Sequence, residues 1–283
     1  MVALTGMQSV GPYPAEKAVE KRSSYTYRIL GAFEVRRDGR RIEIPRGNAL
    51  NLLATLVLNA NALMTADVLY ERLWGDRPPK TARAVLQNCV SQLRSPHDAR
   101  AVPLPILTGP KGYSIRVPPG AIDLHQFDSM AARAEEALAA GRQTEAADLL
   151  HDALLFWSGD PLPEITAPGL RQTEIRHLAE RRAAILDRWA DLEIGAGRAG
   201  RVIPDLRAAV AATPAEERLR YQLVRALVGN QQIGEASRYL RETETILRER
   251  YGLEAGPILE RWWRQLLAPV SAADYRLPHL VNL

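Results

Sequence analysis

The sequence predicts two modules of different class, a mixed α+β unit over residues 25–120 and an all-α unit over residues 121–268. Three observations lead there. Strand-like alternation is confined to the front. Beyond Asp123 the periodicity is helical, broken only at points rich in glycine or proline. The charge also changes sign. Tyr25 to Gly120 carries 14 Lys and Arg against 7 Asp and Glu, and the remainder from Ala121 carries 20 against 24. A basic front beside a mildly acidic rear suggests partners of different kinds, the front one a polyanion.

Residues 1–24 hold Gly11, Pro12 and Pro14 with no periodicity and read as a flexible lead. "YTYRILGAFEVRRDGRRIEI" alternates and carries an Asp-Gly turn between two strand-like runs. "NALNLLATLVLNAN" places Leu50, Leu53, Leu56 and Val57 on one helical stripe. "TADVLYERLWGDRPP" reads as a second helix, with Thr65 as N-cap, Val68, Leu69 and Leu73 inward, and Gly75 as its stop. In "PPKTARAVLQNCVSQLRSP" a third helix puts Ala82, Val85, Leu86, Cys89, Val90 and Leu93 on one arc. Lys80, Arg83, Gln87, Ser91 and Arg94 fall on the other, Thr81 stands where a cap belongs, and Pro96 ends the run. "LPILTGPKGYSIRVPP" is a second hairpin, with Lys111 at its tip and Arg116 on its return strand. Three helices closed by a hairpin assemble most economically as a winged helix-turn-helix.

The rear pairs short helices: "FDSMAARAEEALAAG" with "TEAADLLHDALLFW", and "AEERLRYQLVRALVG" with "GEASRYLRETETILRERYG". Each pair turns at small residues followed by Glu-Ala, which resembles tetratricopeptide hairpins. Arg171 to Gly195 reads as one extended helix between them, and residues 269–283 as a tail.

The third helix carries the chemistry. The major groove of B-DNA admits one α-helix, whose arginine or lysine meets guanine and whose glutamine or asparagine meets adenine. Arg83 and Gln87 supply those types one turn apart. Lys80 lies near the N-terminal end, where such helices meet bases. Arg94, at the far end, is placed for a backbone phosphate, and Lys111 and Arg116 are placed as wing cations. The competing reading is a solvated cationic face. Such faces mix acids with bases, whereas no Asp or Glu stands between Lys80 and Arg94.

Other residues read more plainly. Trp74 is a core residue rather than a stacking platform, and Cys89 a buried small one. The five histidines are far apart and none has metal-ligand spacing. "GPKG" lacks the spacing of a phosphate loop. With no nucleophile–base set either, neither an enzyme nor a cofactor is expected. Trp262 and Trp263 are adjacent on a helix, so one of them faces away from the core stripe. No stretch approaches the roughly 18–20 apolar residues that cross a bilayer. A lone cysteine and the absence of a secretion signal suit the cytoplasm, with the protein on the nucleoid.

"RILGAFEVRRDGR", "LLATLVLNANALMTADVLYERLWGDRPPKTARAVLQNCVSQLR" and "GYSIRV" resemble the Streptomyces antibiotic regulatory protein family. The later "DLHQFDSMAARAEEALAAGRQTEAADLLHDALLFWSGDPL" and "YGLEAGPIL" look like the bacterial transcriptional activation domain of the same family. The resemblance implies an OmpR-type winged helix joined to a tetratricopeptide-like helical domain. It implies an activator of a secondary-metabolite gene cluster in an actinobacterium, bound as a dimer to direct heptamer repeats of double-stranded DNA overlapping the promoter's −35 region. It also implies recruitment of RNA polymerase, partly through its sigma subunit. Carried onto this chain, the reading helix is Thr81 to Arg94 and the wing Thr108 to Arg116.

Three departures stand out. "PRGNAL" replaces a more basic entry to the first helix and leaves Arg46 as the phosphate contact there. The third helix stops at "LRSPHD" where relatives continue with basic residues. Gln231 replaces the usual glycine of the last turn. No receiver-like segment with a phosphorylatable aspartate and no ATPase or phosphopeptide-binding module is visible, which reads as a stand-alone member whose activity is set by its amount. A repressor with the same grip on DNA, or a helical interaction adaptor, are the alternatives.

Overall fold

The computed structural model describes residues 25–95, 103–213 and 216–252. The expected lead, Pro96 and His97, Trp262 and Trp263, and the expected tail lie outside the described residues.

The front begins with three antiparallel strands in the order β1 (Tyr25–Arg28), β2 (Glu34–Arg37) and β3 (Arg40–Ile42). The β2–β3 turn is the expected Asp-Gly, with φ 48° at Asp38 and 81° at Gly39. Positive φ at both positions is the type I′ geometry whose twist matches a hairpin. The first alternating run, read as one strand, is two. It breaks between Ile29 and Phe33, where the backbone turns to partners in the rear half of the molecule.

Helix α1 (Asn48–Leu58) is the centre of the front. All nine residues from Ala49 to Val57 are buried, not only the expected stripe. The reason is that it is wedged between two helices on one side and a rear segment on the other. Its buried Asn51 faces that segment. Asn51 Nδ2 donates to Thr166 Oγ1 and Asn51 Oδ1 accepts the Thr166 N–H, both at 3.2 Å. Helix α2 (Ala66–Trp74) starts and stops as expected: Thr65 Oγ1 accepts the Val68 N–H at 3.5 Å, and Gly75 has φ 64°. Helix α3 spans Ala82–Arg94. A two-residue strand, β4 (Met64–Thr65), escaped the sequence reading. It pairs with β6 (Gly112–Ile115), which also pairs with β5 (Ile106–Gly109), so the wing is a three-stranded sheet in the order β4-β6-β5.

The rear is helical: α4 (Asp123–Ala139), α5 (Gln143–Leu154), a short α6 (Pro168–Leu170), α7 (Arg176–Gly195), α8 (Ile203–Ala212), α9 (Glu217–Gly229) and α10 (Ile233–Tyr251). The expected extended helix is present. A five-residue π-turn, Arg171–Ile175, leads into it and a 3-10 turn, Ala199–Arg201, follows it. Where two helix pairs were expected, three form, the additional one being α7 with α8. Their turns are the same object. Gly141, Gly197 and Gln231 have φ of 74°, 73° and 60°. In each turn the next residue's N–H reaches back five positions, Arg142 to Ala137, Arg198 to Glu193 and Gln232 to Leu227, each at 2.8 Å. That is a left-handed cap closing the preceding helix. Gln231, with a Cβ, holds a conformation that glycine adopts freely.

Two apolar cores form, and the first ignores the change in composition near residue 120. It runs from Tyr25 through Leu93 and Val117 to Phe127, Trp157, Ile165 and Leu178. The second lies among α4, α5 and α7–α10, around Leu150, Trp189, Leu206 and Leu227. Polar bonds reinforce the shared first core. Asp123 accepts the N–H groups of Ile29 and Leu30 at 3.0 and 3.1 Å. Burial pushes its carboxyl above the usual range, and the backbone N–H bonds it accepts pull the other way. Ser158 N–H donates to Leu30 O at 2.9 Å, Leu162 N–H to Gly31 O at 2.8 Å, and Phe33 N–H to Glu164 at 2.8 Å.

In the α7–α8 turn the fully buried Glu193 receives a two-pronged bond from Arg198, both contacts at 2.9 Å, and a longer one from Arg201 at 3.3 Å. Burial alone would raise its carboxyl. The Arg198 hydrogen bonds and the two guanidinium charges outweigh it, and the group titrates below the ordinary carboxylate range.

Two outcomes follow. Gln231→Gly relieves the left-handed strain and raises stability by about 0.5–1 kcal/mol in urea unfolding. Glu193 has a depressed folded value, so its stabilisation is full above the unfolded value near ~4.3 and is lost as pH falls through the folded one. The gap in urea midpoint between wild type and Glu193→Gln is therefore widest at neutral pH and narrows on acidification below about pH 4.

Candidate nucleic-acid interface

The third helix is amphipathic as read. Ala82, Leu86, Cys89, Val90 and Leu93 are buried, and Val85 is half-buried. Burial also pushes the Cys89 thiol up, as suits a core residue. Thr81, Arg83, Gln87 and Ser91 are exposed, as is Lys80 in the turn just before the helix. The exposed half is wider than the sequence reading allowed. Ala84, Asn88 and Gln92 are exposed on it too. Asn88 and Gln92 carry the adenine-type amide, and their distance from the apolar arc was the signal for them.

Thr81 occupies the N-cap position with φ −94° and ψ 11°, and its side chain makes no capping bond. A cap needs extended backbone there, so the expected capping role is withdrawn. Its hydroxyl is exposed at the N-terminal end of the helix. Trp74 is partly buried against the first core, its ring tilted against that of Tyr70 at a centroid distance of 5.9 Å.

Arg94 also differs from its expectation. It is half-buried, and its guanidinium is turned toward the wing. Nε and Nη2 donate to Ile106 O at 3.2 and 3.0 Å, and Nη2 donates to Thr108 Oγ1 at 2.8 Å. The residue read as a phosphate contact ties the end of α3 to β5 instead. Its place on the cationic side of the wheel hid this, because the wing's position is not visible in a helical period.

The hairpin is placed by contacts outside it. Lys111 is exposed at its tip, and its carbonyl accepts the Ala66 N–H at 2.9 Å, at the start of α2. Gly112 lies against β4 so closely that a Cβ would sit 1.8 Å from Met64 O. This close approach is what the glycine in "GPKG" serves. Asn61, at φ 66°, bonds both sides of Val117, donating to its carbonyl at 2.9 Å and accepting its N–H at 3.0 Å. Arg116 is exposed just beyond β6, and Arg46 is exposed just before α1.

Among the described residues Arg46, Lys80, Arg83, Lys111 and Arg116 form no ion pair. The rear differs. Arg181 pairs with Asp128, Arg207 with Glu235, Arg218 with Asp187, Arg225 with Asp191 and Arg248 with Glu244. The described residues contain no group of three or more potential metal ligands, and no helix long and apolar enough to cross a membrane.

A family profile described as "Bacterial transcriptional activator domain" matches residues 122–267, just over half of the chain. The chain belongs to the Streptomyces antibiotic regulatory protein family. Its relatives agree. It is 31% identical over 256 residues to "Regulatory protein AfsR" of Streptomyces coelicolor, covering 90% of this chain and 25% of that protein. It is 30% identical to "Transcriptional regulatory protein EmbR" of Mycobacterium tuberculosis, covering 85% and 62%. With "Regulatory protein DnrI" of Streptomyces peucetius it shares 24% identity over 89% of this chain and 95% of that one. The chain thus spans about a quarter of AfsR and about three fifths of EmbR. A solved structure, Mycobacterium tuberculosis EmbR in complex with a low-affinity phosphopeptide, superposes with a TM-score of 0.70 at 28% identity. It covers 87% of this chain and 65% of the EmbR chain. The names of these relatives are those of regulatory proteins.

Removal of the Arg94 tie frees the wing. Arg94→Ala costs about 1.5–3 kcal/mol, as for hydrogen bonds from a charged donor. It lowers amide-exchange protection in β5 and β6 while leaving α4 and α5 unchanged, as hydrogen-exchange mass spectrometry would show.

Proposed function

We propose that the protein is a sequence-specific DNA-binding transcriptional activator, pathway-specific for a secondary-metabolite (antibiotic) gene cluster. Residues 25–120 are its DNA-binding unit and residues 121–268 its activation unit. One observation carries the reading: α3 presents cations and amides with no acid, beside a wing with its own cations, and those cations are unpaired while many of the rear's arginines are not.

In this reading α3 enters the major groove. Arg83 and Gln87 contact base edges, with Lys80 and Thr81 near the helix start and Ser91 farther along. Lys111 and Arg116 grip phosphate or the minor groove from the wing, and Arg46 meets phosphate at the entry to α1. Arg94 acts through the wing, holding it at the angle from which Lys111 reaches the duplex. Direct repeats spaced by a helical turn seat two protomers on one face of the DNA, and the rear recruits RNA polymerase, including its sigma subunit. The activity is cytoplasmic, on the nucleoid.

The test is a footprint on the promoters of the neighbouring gene cluster with two variants. Arg83→Ala costs about 1–3 kcal/mol, concentrated at one base step. Lys111→Ala weakens all sequences alike and flattens the salt dependence by about one unit of slope. Equal behaviour of both variants on specific and random DNA would defeat the assignment. Transcription in vitro with purified polymerase separates an activator from a repressor, since a repressor lowers the transcript.

A further inference from the structure

A groove of about 690 Å³ opens where the first sheet, the entry to α1 and the Glu164 segment of the rear meet. That is within the range of small-molecule sites, roughly 300–1,000 Å³. Part of its wall is apolar: Phe33 and Leu50 are buried there, and Ile42 and Ile44 half-buried. Its rim carries Arg41 and Arg46. Both are exposed, and among the described residues neither guanidinium has an ion-pair or hydrogen-bond partner.

Two carboxylates line the groove as well. Glu164 Oε1 accepts the Phe33 N–H at 2.8 Å, which holds this side chain against the sheet. Glu43 is exposed. Glu164 stays charged, but its Oε1 is taken by the Phe33 N–H, so the charged groups of the lining still free to bond a ligand are two guanidiniums and one carboxylate. A guanidinium recognises a carboxylate or sulfonate through charge-assisted bonds, and the apolar side chains take an apolar body.

We infer that this groove is a binding site for an amphipathic organic anion. The apolar body lies on Phe33, Ile42, Ile44 and Leu50, and the anionic end on Arg41 and Arg46. The site is built by both units, since Glu164 belongs to the rear and the other lining residues to the front. It lies apart from α3 and the wing and shares only Arg46 with the DNA contacts proposed above.

The test uses the full chain without DNA, so its outcome is independent of the DNA-binding reading. The probes are 8-anilinonaphthalene-1-sulfonate, an anion whose emission rises in apolar surroundings, and its uncharged counterpart N-phenyl-1-naphthylamine. The expected result is saturable binding of one anionic probe per chain. The double variant Arg41→Ala, Arg46→Ala weakens it about tenfold, with its unfolding midpoint checked by circular dichroism. Arg83→Ala leaves it unchanged, and the uncharged probe binds wild type and double variant alike. On the unaltered protein, decanoate displaces the anionic probe and decylammonium does not. Equal anionic-probe affinity in wild type and double variant, or displacement by decylammonium as effective as by decanoate, overturns the site.

Discussion

The backbone from Ile29 to Phe33 is the constraint on which the rest depends. It leaves the first sheet, and five of its polar groups are satisfied by the rear: the N–H groups of Ile29, Leu30 and Phe33 and the carbonyls of Leu30 and Gly31. These groups lie in a region where Ile29 and Leu30 are almost wholly buried. A buried donor or acceptor stripped of its partner costs about 1–3 kcal/mol. Separating the two units would strip several at once and open the shared core. The front and rear are therefore one packed object despite their contrasting sequences. The side-chain pair Asn51–Thr166 extends the same seam to the middle of α1.

Charge is distributed on the same plan. Ion pairs on a wet surface contribute little stability each, so the pairing of the rear's arginines matters less for holding the fold than for cancelling its field. Arg218 on Asp187 and Arg225 on Asp191 neutralise cations that would otherwise spread positive potential over the helical half. The cations of α3 and the wing have no such partners. Part of the net positive charge of residues 25–120 therefore stays uncancelled on α3 and the wing, where a field of one sign persists.

Much of this was legible in the chain. Periodicity located α1, α2, α3 and the wing hairpin, and the Asp-Gly turn appeared with the expected backbone. The apolar arc of α3 was right residue by residue, because burial and a 3.6 period express one geometry. What escaped depends on distant partners. The short β4 carries no alternation of its own and exists because Gly112 lets the Met64 backbone approach. The break at Gly31 follows from acceptors more than ninety residues away. The helix pair α7–α8 was hidden although "GAGRAGR" has the glycine-then-arginine signature of "AAGRQTEA". Within the candidate site, the exposed face of α3 could be read, whereas the turn of Arg94 toward β5 needed the wing in place.

The helix-turn-helix is held from outside at both ends. At one end α2 meets the rear: a Cβ on Gly169 would sit 2.2 Å from Glu71 O, a contact only glycine allows, and Arg72 Nε donates to Glu174 at 2.6 Å. Glu174 lies in the π-turn, and Thr173 Oγ1 beside it donates to Gly169 O at 2.7 Å, binding the turn to the glycine that touches α2. Turns of this kind are rare and are found frequently at functional sites. At the other end α3 is bonded to the wing through Arg94. Neither helix is left to set its own angle. The pose of α3 is therefore set by two fixed points, the contact of α2 with Gly169 and Glu174 and the bond of Arg94 to β5.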